Sequence, residues 1–433
     1  MSSKISQSSW IPNLGAKGWG VTLICLCFYF FYNFWSNGAN TLFGIFTEQY
    51  GWQQTDMSFI VTLGGWVSLI GIVGFGALGK KKGARLVCII GLLLSAVAFV
   101  IVALMNSFVM YAIGVVLFFV SMSGYAVIGL GMLGSSWFPH KKGIFMGVAT
   151  IGMTVCSATI NPIALACASS PWGISSMFWG CAVACLILAA LMLLVKNNPE
   201  EAGAYPDNDR SITREQLEKE FEAAQEYKKN SPWTLKRVLK TPQTWLIGFG
   251  WGLTMLAGSG VISLLVPTLM AYGHDQLFGV TLLSSMWPIG LLGHYLIGVI
   301  DQKIGSKKTS IIVVVILIIA ALLVTFAGSN AAVCAVSAGL LMFAISGCAN
   351  MCMSMTTTVF GRQDFDSAWS PIQVVYNILN FAGVSVMSVA GSIFGQTAVM
   401  PTCAVVCVVS LIIVACTPEK QIASHVESVP EAA

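Results

Sequence analysis

Runs of about twenty apolar residues recur along this chain, and its lysines and arginines fall only at the termini or in alternate gaps between those runs. A run of that length crosses the ~30 Å hydrocarbon core of a bilayer as a helix. Lysine and arginine collect in the short loops on one side of a membrane. Together the two patterns require an all-α membrane protein that crosses an even number of times. Twelve transmembrane helices are placed, at 18–45, 57–79, 86–105, 108–134, 143–168 and 173–195, then 243–271, 277–300, 309–328, 331–358, 368–394 and 397–416. The cations occupy the N-terminus, 80–85, 141–142, 196–240, 303–308, 362 and Lys420. A miscounted span would scatter them over both sides.

Composition excludes several classes of function. Only 9% of the 433 residues are charged, against about 25% in soluble domains. Mean hydropathy is +0.80. The net charge of +4 is therefore a topological signal, with the lipid bilayer as partner and no nucleic acid. Both termini are expected in the cytoplasm, with the chain in the plasma membrane (the inner membrane of a bacterial cell). The first span follows a polar N-terminus without a small-residue cleavage site, and reads as a helix and not a signal peptide. The 13 cysteines include Cys25, Cys27, Cys156, Cys348, Cys352 and Cys416 within spans, where they act as small hydrophobes. No disulfide framework, metal or cofactor is expected. No phosphate-binding loop and no intramembrane acid/base pair is present, so neither an ATP-driven pump nor an enzyme is expected.

The chain divides into a six-helix bundle at 1–196, a polar linker at 197–242, a second six-helix bundle at 243–416 and a cytoplasmic tail at 417–433. Within the linker, "SITREQLEKEFEAAQEYKKN" reads as a surface helix. Thr213 and Gln216 have capping-box spacing, and Leu217, Phe221 and Ala224 form a narrow apolar stripe.

A glycine- and cation-rich stretch follows the second helix of each half: "GALGKKKGAR" at 76–85 and "GVIDQKIGSKK" at 298–308. Here the sequence resembles the major facilitator superfamily, whose loop between helices 2 and 3 combines glycines, an aspartate and cations. Gly76, Gly83 and Arg85 match in the first copy, where Lys80 stands at the usual Asp position. Asp301, Lys303, Gly305 and Lys307 match in the second. "WFPHKKGIFMGVATIG", "NPEEAGAYPD" and "VFGRQDF" are similar to segments of the oxalate/formate antiporter and monocarboxylate transporter-like branch. The resemblance implies two six-helix bundles around a central cavity that opens alternately to either side, and a small organic acid as substrate. It also implies a latch through the helix 2–3 loop. With Lys80 in the Asp position, the pairing is expected to be charge-swapped, Lys80 or Lys81 meeting Asp364 or Asp366. Arg85, Asp301 and Lys303 complete the expected gate.

No Asp, Glu, Lys or Arg lies well inside any span. Members of this branch often carry an arginine on helix 8 where this chain has His294, in "GHYLIG". His294 is either a packed histidine between helices or an anion contact and proton carrier. Asn33, Asn37 and Asn40 share one face of helix 1, and Gln373, Asn377 and Asn380 repeat that spacing on helix 11. Amides facing lipid are costly, so these faces turn inward. With Tyr32, Tyr125, Asn161, Asn350 and Tyr376 they either line a cavity or bond neighbouring helices. Tyr32 or Trp35, within "FYFFYNFW", offers a flat wall for an apolar substrate, and Pro162, Pro267 and Pro288 bend helices. The expected function is secondary transport of a small organic solute, a monocarboxylate or related acid, by a monomer and with proton coupling open. The alternatives are a transporter-like solute sensor and a carrier of a neutral or aromatic solute.

Overall fold

The computed structural model describes residues 13–211, 213–229 and 231–422, without the side chains of Ala39, Asn40, Lys229 and Ala349. The N-terminal Lys4, most of the tail and the Asn40 side chain lie outside the described residues. Every regular element among the described residues is helical. The membrane helices are α1 (Gly15–Tyr32, continued by Phe34–Tyr50), α2 (Gln54–Lys82), α3 (Ala84–Ala103), α4 (Phe108–Trp137), α5 (Lys142–Ala168) and α6 (Ser175–Met192). They are followed by α7 (Pro242–Ala271), α8 (Gln276–Ile304) and α9 (Ser306–Ala327). Next comes a continuous helical stretch, Ala331–Phe394, and last α12 (Gln396–Cys416).

Eleven of these helices are long and apolar enough to cross a membrane. The longest has 64 residues, about 96 Å at 1.5 Å per residue, three times the thickness of a bilayer core. It breaks at Gly361, whose φ of 74° and ψ of 175° end one helix and begin another. The break yields α10 (331–360) and α11 (362–394), and the total reaches twelve. A side chain at Gly361 would also meet the Gln421 amide.

The two halves repeat one another locally. Gly83 joins α2 to α3 with φ 84° and ψ 168°, and Gly305 joins α8 to α9 with φ 88° and ψ 158°. The chain following α6 supplies Asn197 against Gly83, and the chain following α12 supplies Glu419 against Gly305. Both copies of the sequence motif thus build the same turn, in the left-handed region that favours glycine.

Within the first half α1 packs on α5, α2 on α4, and α3 on α4 and α6. In the second, α7 packs on the α10–α11 stretch and α12, and α8 packs on α10. The halves meet along α5 with α8 and along α2 and α4 with α10 and α11. Small residues permit the closest approach: a Cβ on Gly298 would lie 2.2 Å from the Gly143 carbonyl oxygen. Ile70, Ile187, Phe326 and Val405 stand more than half exposed around the outside, as residues solvated by lipid do.

The aromatic run of α1 turns mainly into its own bundle. Phe28, Phe34 and Trp35 are fully buried, and Trp35 stacks on Phe178 with ring centroids 6.2 Å apart. The expected substrate wall at Trp35 is therefore corrected: its ring is occupied by core packing. Pro162 and Pro267 lie inside α5 and α7, while Pro288 opens the second segment of α8 after a break at Met286.

The linker carries a helix, Arg214–Lys229, entered through the reciprocal Thr213 and Gln216 bonds that the sequence spacing implies. Leu217 buries its side chain. A short helix, Leu235–Lys240, then leads into α7.

Candidate functional site

α1 and α11 bring polar side chains together where the two halves join. Tyr376 of α11 lies within electrostatic reach of Tyr29 and Tyr32 of α1 and of Cys348 and Cys352 of α10. Tyr29 and Tyr32 meet edge to face at 5.8 Å. Gln373 donates its Nε2 to the Cys352 sulfur at 3.6 Å and accepts from Asn377 Nδ2 at 3.2 Å. Tyr29, Gln373, Tyr376 and Asn377 are all more than nine-tenths buried. The amides are thus tied to one another, while the hydroxyls of Tyr29, Tyr32 and Tyr376 have no hydrogen-bond partner among the described residues. Tyr32 is only partly buried, and none of the three hydroxyl oxygens is sealed from solvent, so hydroxyls from both halves converge on an accessible place for a polar ligand.

Of the residues singled out in the sequence, Tyr32, Gln373, Tyr376 and Asn377 join this cluster. Asn33 sits at the break of α1, where its backbone N–H bonds the Tyr29 carbonyl at 3.4 Å. Asn37 lies beyond it and donates to Ser157 of α5 at 2.5 Å. One turn further along α5, the buried Asn161 Oδ1 has no partner. These amides form a second polar strip, on the side of the membrane away from the cation-rich loops.

Three others go elsewhere. Tyr125 is fully buried inside the first bundle, edge to face with Phe28 at 5.4 Å and 3.5 Å from the Ser95 hydroxyl. It is placed there by a π-helical stretch, Ser123–Gly129, within α4. His294 is buried between α8 and α10, with its ring bonded to the Ser346 backbone and Nδ1 unpartnered. Asn350 donates to the His294 carbonyl at 3.1 Å and accepts from Thr150 of α5 at 3.2 Å, which stitches the halves together.

The cation-rich side is closed by contacts across the halves, and the charge-swapped latch is corrected there. Lys80 donates to the Trp233 carbonyl of the linker at 2.7 Å and reaches neither acid. Asp364 is buried, accepting from Tyr227 at 2.9 Å and Ser231 at 3.3 Å. Asp366 pairs with Lys228 at 3.1 Å. The linker helix has taken both acids, because it lies across the start of α11. Burial and the bond to Asp364 push Tyr227 up to about 12, so it remains a donor.

The other expected gate residues divide similarly. Arg85 donates from its backbone to Asn197 at 2.9 Å and from its guanidinium to the Leu193 carbonyl, within the first half. Lys81 is exposed at the end of α2, and Lys303 lies in the last turn of α8. Asp301 is buried and accepts from Ser354 at 2.6 Å, with Gly143 of α5 against its carboxylate. Lys142 reaches across to the Thr358 hydroxyl.

Sequence reasoning missed a two-pronged ion pair. Arg362, the first residue of α11, grips Glu200 of the linker with bonds of 2.7 and 2.9 Å and donates to the Ser136 carbonyl of α4 at 2.9 Å. In the sequence, Arg362 marks topology alone. Tyr29 was missed too, although it lies one turn before Tyr32 and Asn33 on the same helix face.

A carrier built of two repeated bundles, closed on one side and holding a polar cluster between them, is the class that this architecture defines. A family model of the Major Facilitator Superfamily matches residues 22–358. The chain belongs to that superfamily of membrane transporters. The MFS-type transporter pytF of Aspergillus terreus is 27% identical over 213 residues, 46% of this chain and 69% of that protein. Among solved structures, the proton:xylose symporter XylE bound to 6-bromo-6-deoxy-D-glucose superposes with a TM-score of 0.73 at 13% identity, covering 93% of this chain and 97% of that one. The human organic anion transporter MFSD10 (TETRAN) gives 0.66 at 14% identity, covering 91% and 98%. At such identities the likeness is one of fold.

Proposed function

We propose that this chain carries a small organic acid of the monocarboxylate class by alternating access. The observation behind this reading is the approach of Tyr29 and Tyr32 of α1 to Tyr376 of α11, whose helix neighbours Gln373 and Asn377 are bonded to each other. A solute held by both halves at once couples its own binding to their relative movement, as alternating access requires. Tyrosine hydroxyls both donate and accept, which suits a carboxyl group. The structural neighbours named above, a xylose symporter and an organic anion transporter, support a small polar solute without selecting the acid. The cation-rich face is read as cytoplasmic. On this reading the chain acts as a monomer in the plasma membrane, with both termini inside, and the structure is closed to the cytoplasm.

The test is uptake of labelled formate, oxalate, lactate and a larger aromatic acid into proteoliposomes, with and without an inward proton gradient. Saturable accumulation of a monoacid is expected, and Tyr376→Phe should weaken it about tenfold, since one hydrogen bond to a ligand is worth about 1–1.5 kcal/mol. Absence of flux for every acid from folded protein would overturn the acid class in favour of a neutral solute. Binding without flux would make the chain a sensor.

A further inference from the structure

Resting on that reading of the central cluster, we propose that the acid crosses as a neutral molecule, its proton carried on its own carboxyl group and on no side chain of the protein. The groups that face the site are the hydroxyls of Tyr29, Tyr32 and Tyr376, the thiols of Cys348 and Cys352, and the amides of Gln373 and Asn377. Hydroxyls and thiols of these types are uncharged near neutral pH, and amides do not ionise. The spans place every Asp, Glu, Lys and Arg near an end, at the membrane faces. A carboxylate buried here would meet no countercharge, and burying an unpaired ion is far costlier than burying its protonated form.

The undissociated acid fits the available groups better. Its hydroxyl donates to a tyrosine oxygen, and its carbonyl accepts from another tyrosine hydroxyl. These hydroxyls make no hydrogen bond to any described residue, and their oxygens are open to a ligand. Gln373 and Asn377 are already committed to each other and to Cys352, so they hold the wall in place.

His294 is the one imidazole inside a span that sequence reasoning offered as a proton carrier. Its ring bonds the Ser346 backbone, and among the described residues no charged group of α5, α8 or α10 acts on it. Its backbone carbonyl is held by Asn350, and Gly147 of α5 packs against that carbonyl. The ring is a packed element of the second bundle and does not belong to the cluster around Tyr376.

Proton and substrate therefore move one for one without any protein group changing charge. Oxalate, which must take up two protons to become neutral, is expected to be a poor substrate beside lactate.

The experiment is initial-rate uptake of labelled lactate into proteoliposomes between pH 5.5 and 7.5, corrected with protein-free vesicles for passive entry. The expected result is a KM that rises about tenfold per pH unit when expressed as total lactate and is constant when expressed as undissociated acid. Lactamide, the neutral isostere, should compete equally well at every pH. His294→Gln should keep the same profile, and Tyr376→Phe should raise KM with its pH slope unchanged. Saturable uptake with a pH-independent KM in lactate anion would overturn the neutral-acid proposal and leave the transporter reading standing. So would loss of pH dependence in His294→Gln. Failure of every acid and of lactamide to bind or move, from folded protein, would overturn both.

Discussion

The indole Nε1 of Trp369 in α11 donates to the backbone carbonyl of Val127 in α4, 2.8 Å away in the opposite half of the molecule. Val127 lies in the π-helical stretch Ser123–Gly129, where the altered hydrogen-bond ladder frees a carbonyl for an outside donor. The next residue, Ser370, donates to the Ile72 carbonyl of α2 at 3.0 Å. Neutral bonds to backbone thus close the halves beside the gate's charges. Trp369→Phe removes the donor and leaves the carbonyl buried, at a cost of about 1–3 kcal/mol in the closed state. Single-molecule energy transfer across the cation-rich side should show the open population rising about 5- to 150-fold relative to the closed one.

Arg362 joins the start of α11 to Glu200 and Ser136. The Glu200 carboxylate is almost fully buried, so Arg362→Ala strands a charge, typically worth about 3–5 kcal/mol. The variant should populate the state open on the cation-rich side. Replacing Glu200 with Gln alongside it should recover part of the loss, and a double-mutant cycle in the same assay measures the coupling.

Lys228 and Asp366 are paired and partly exposed, and Lys80 is bonded to a carbonyl. Lys228→Asp should slow transport a few-fold, and adding Asp366→Lys should restore it, because a partly exposed pair is worth up to about 1 kcal/mol. Lys80→Glu should not be rescued by Asp366→Lys. Rescue there would restore the latch that the structure corrects.

His140, in the loop between α4 and α5, bonds Asp207 through Nδ1 at 2.9 Å. That bond raises the histidine above its usual value of about 6.5. A group with a raised folded-state pKa contributes stability that is fully present below its unfolded value and is lost as pH rises through the folded one. His140→Gln should therefore lower the Tm of the detergent-solubilised protein at pH 5.5 and converge on wild type above the raised value. The ring is exposed, so the difference should be small.

Much of the gate's failure to show in the sequence has one cause. Family resemblance sets Asp364 and Asp366 against the cations of the α2–α3 loop. The linker helix reaches them first, through Tyr227, Lys228 and Ser231, which are about 135 positions away in the chain. Arg362 and Glu200 are separated by 162 positions and carry no local pattern. Tyr125 and Tyr376 look alike in sequence, as tyrosines inside apolar runs. A π-helical turn directs the first into its bundle, and the helix face of α11 directs the second to the interface between halves.

Hydrophobic run length, loop charge and the twice-used glycine turn determined twelve helices in two similar halves from the sequence alone. Bilayer thickness and the exclusion of charge from hydrocarbon act on each segment separately, so their signature is local. The placement of side chains between the halves was decided by tertiary structure. Helix rotation, the π-helical turn in α4, the break at Gly361 and the path of the linker are set by packing between segments far apart in the chain, and only packing brings Tyr29 to Tyr376 and Arg362 to Glu200.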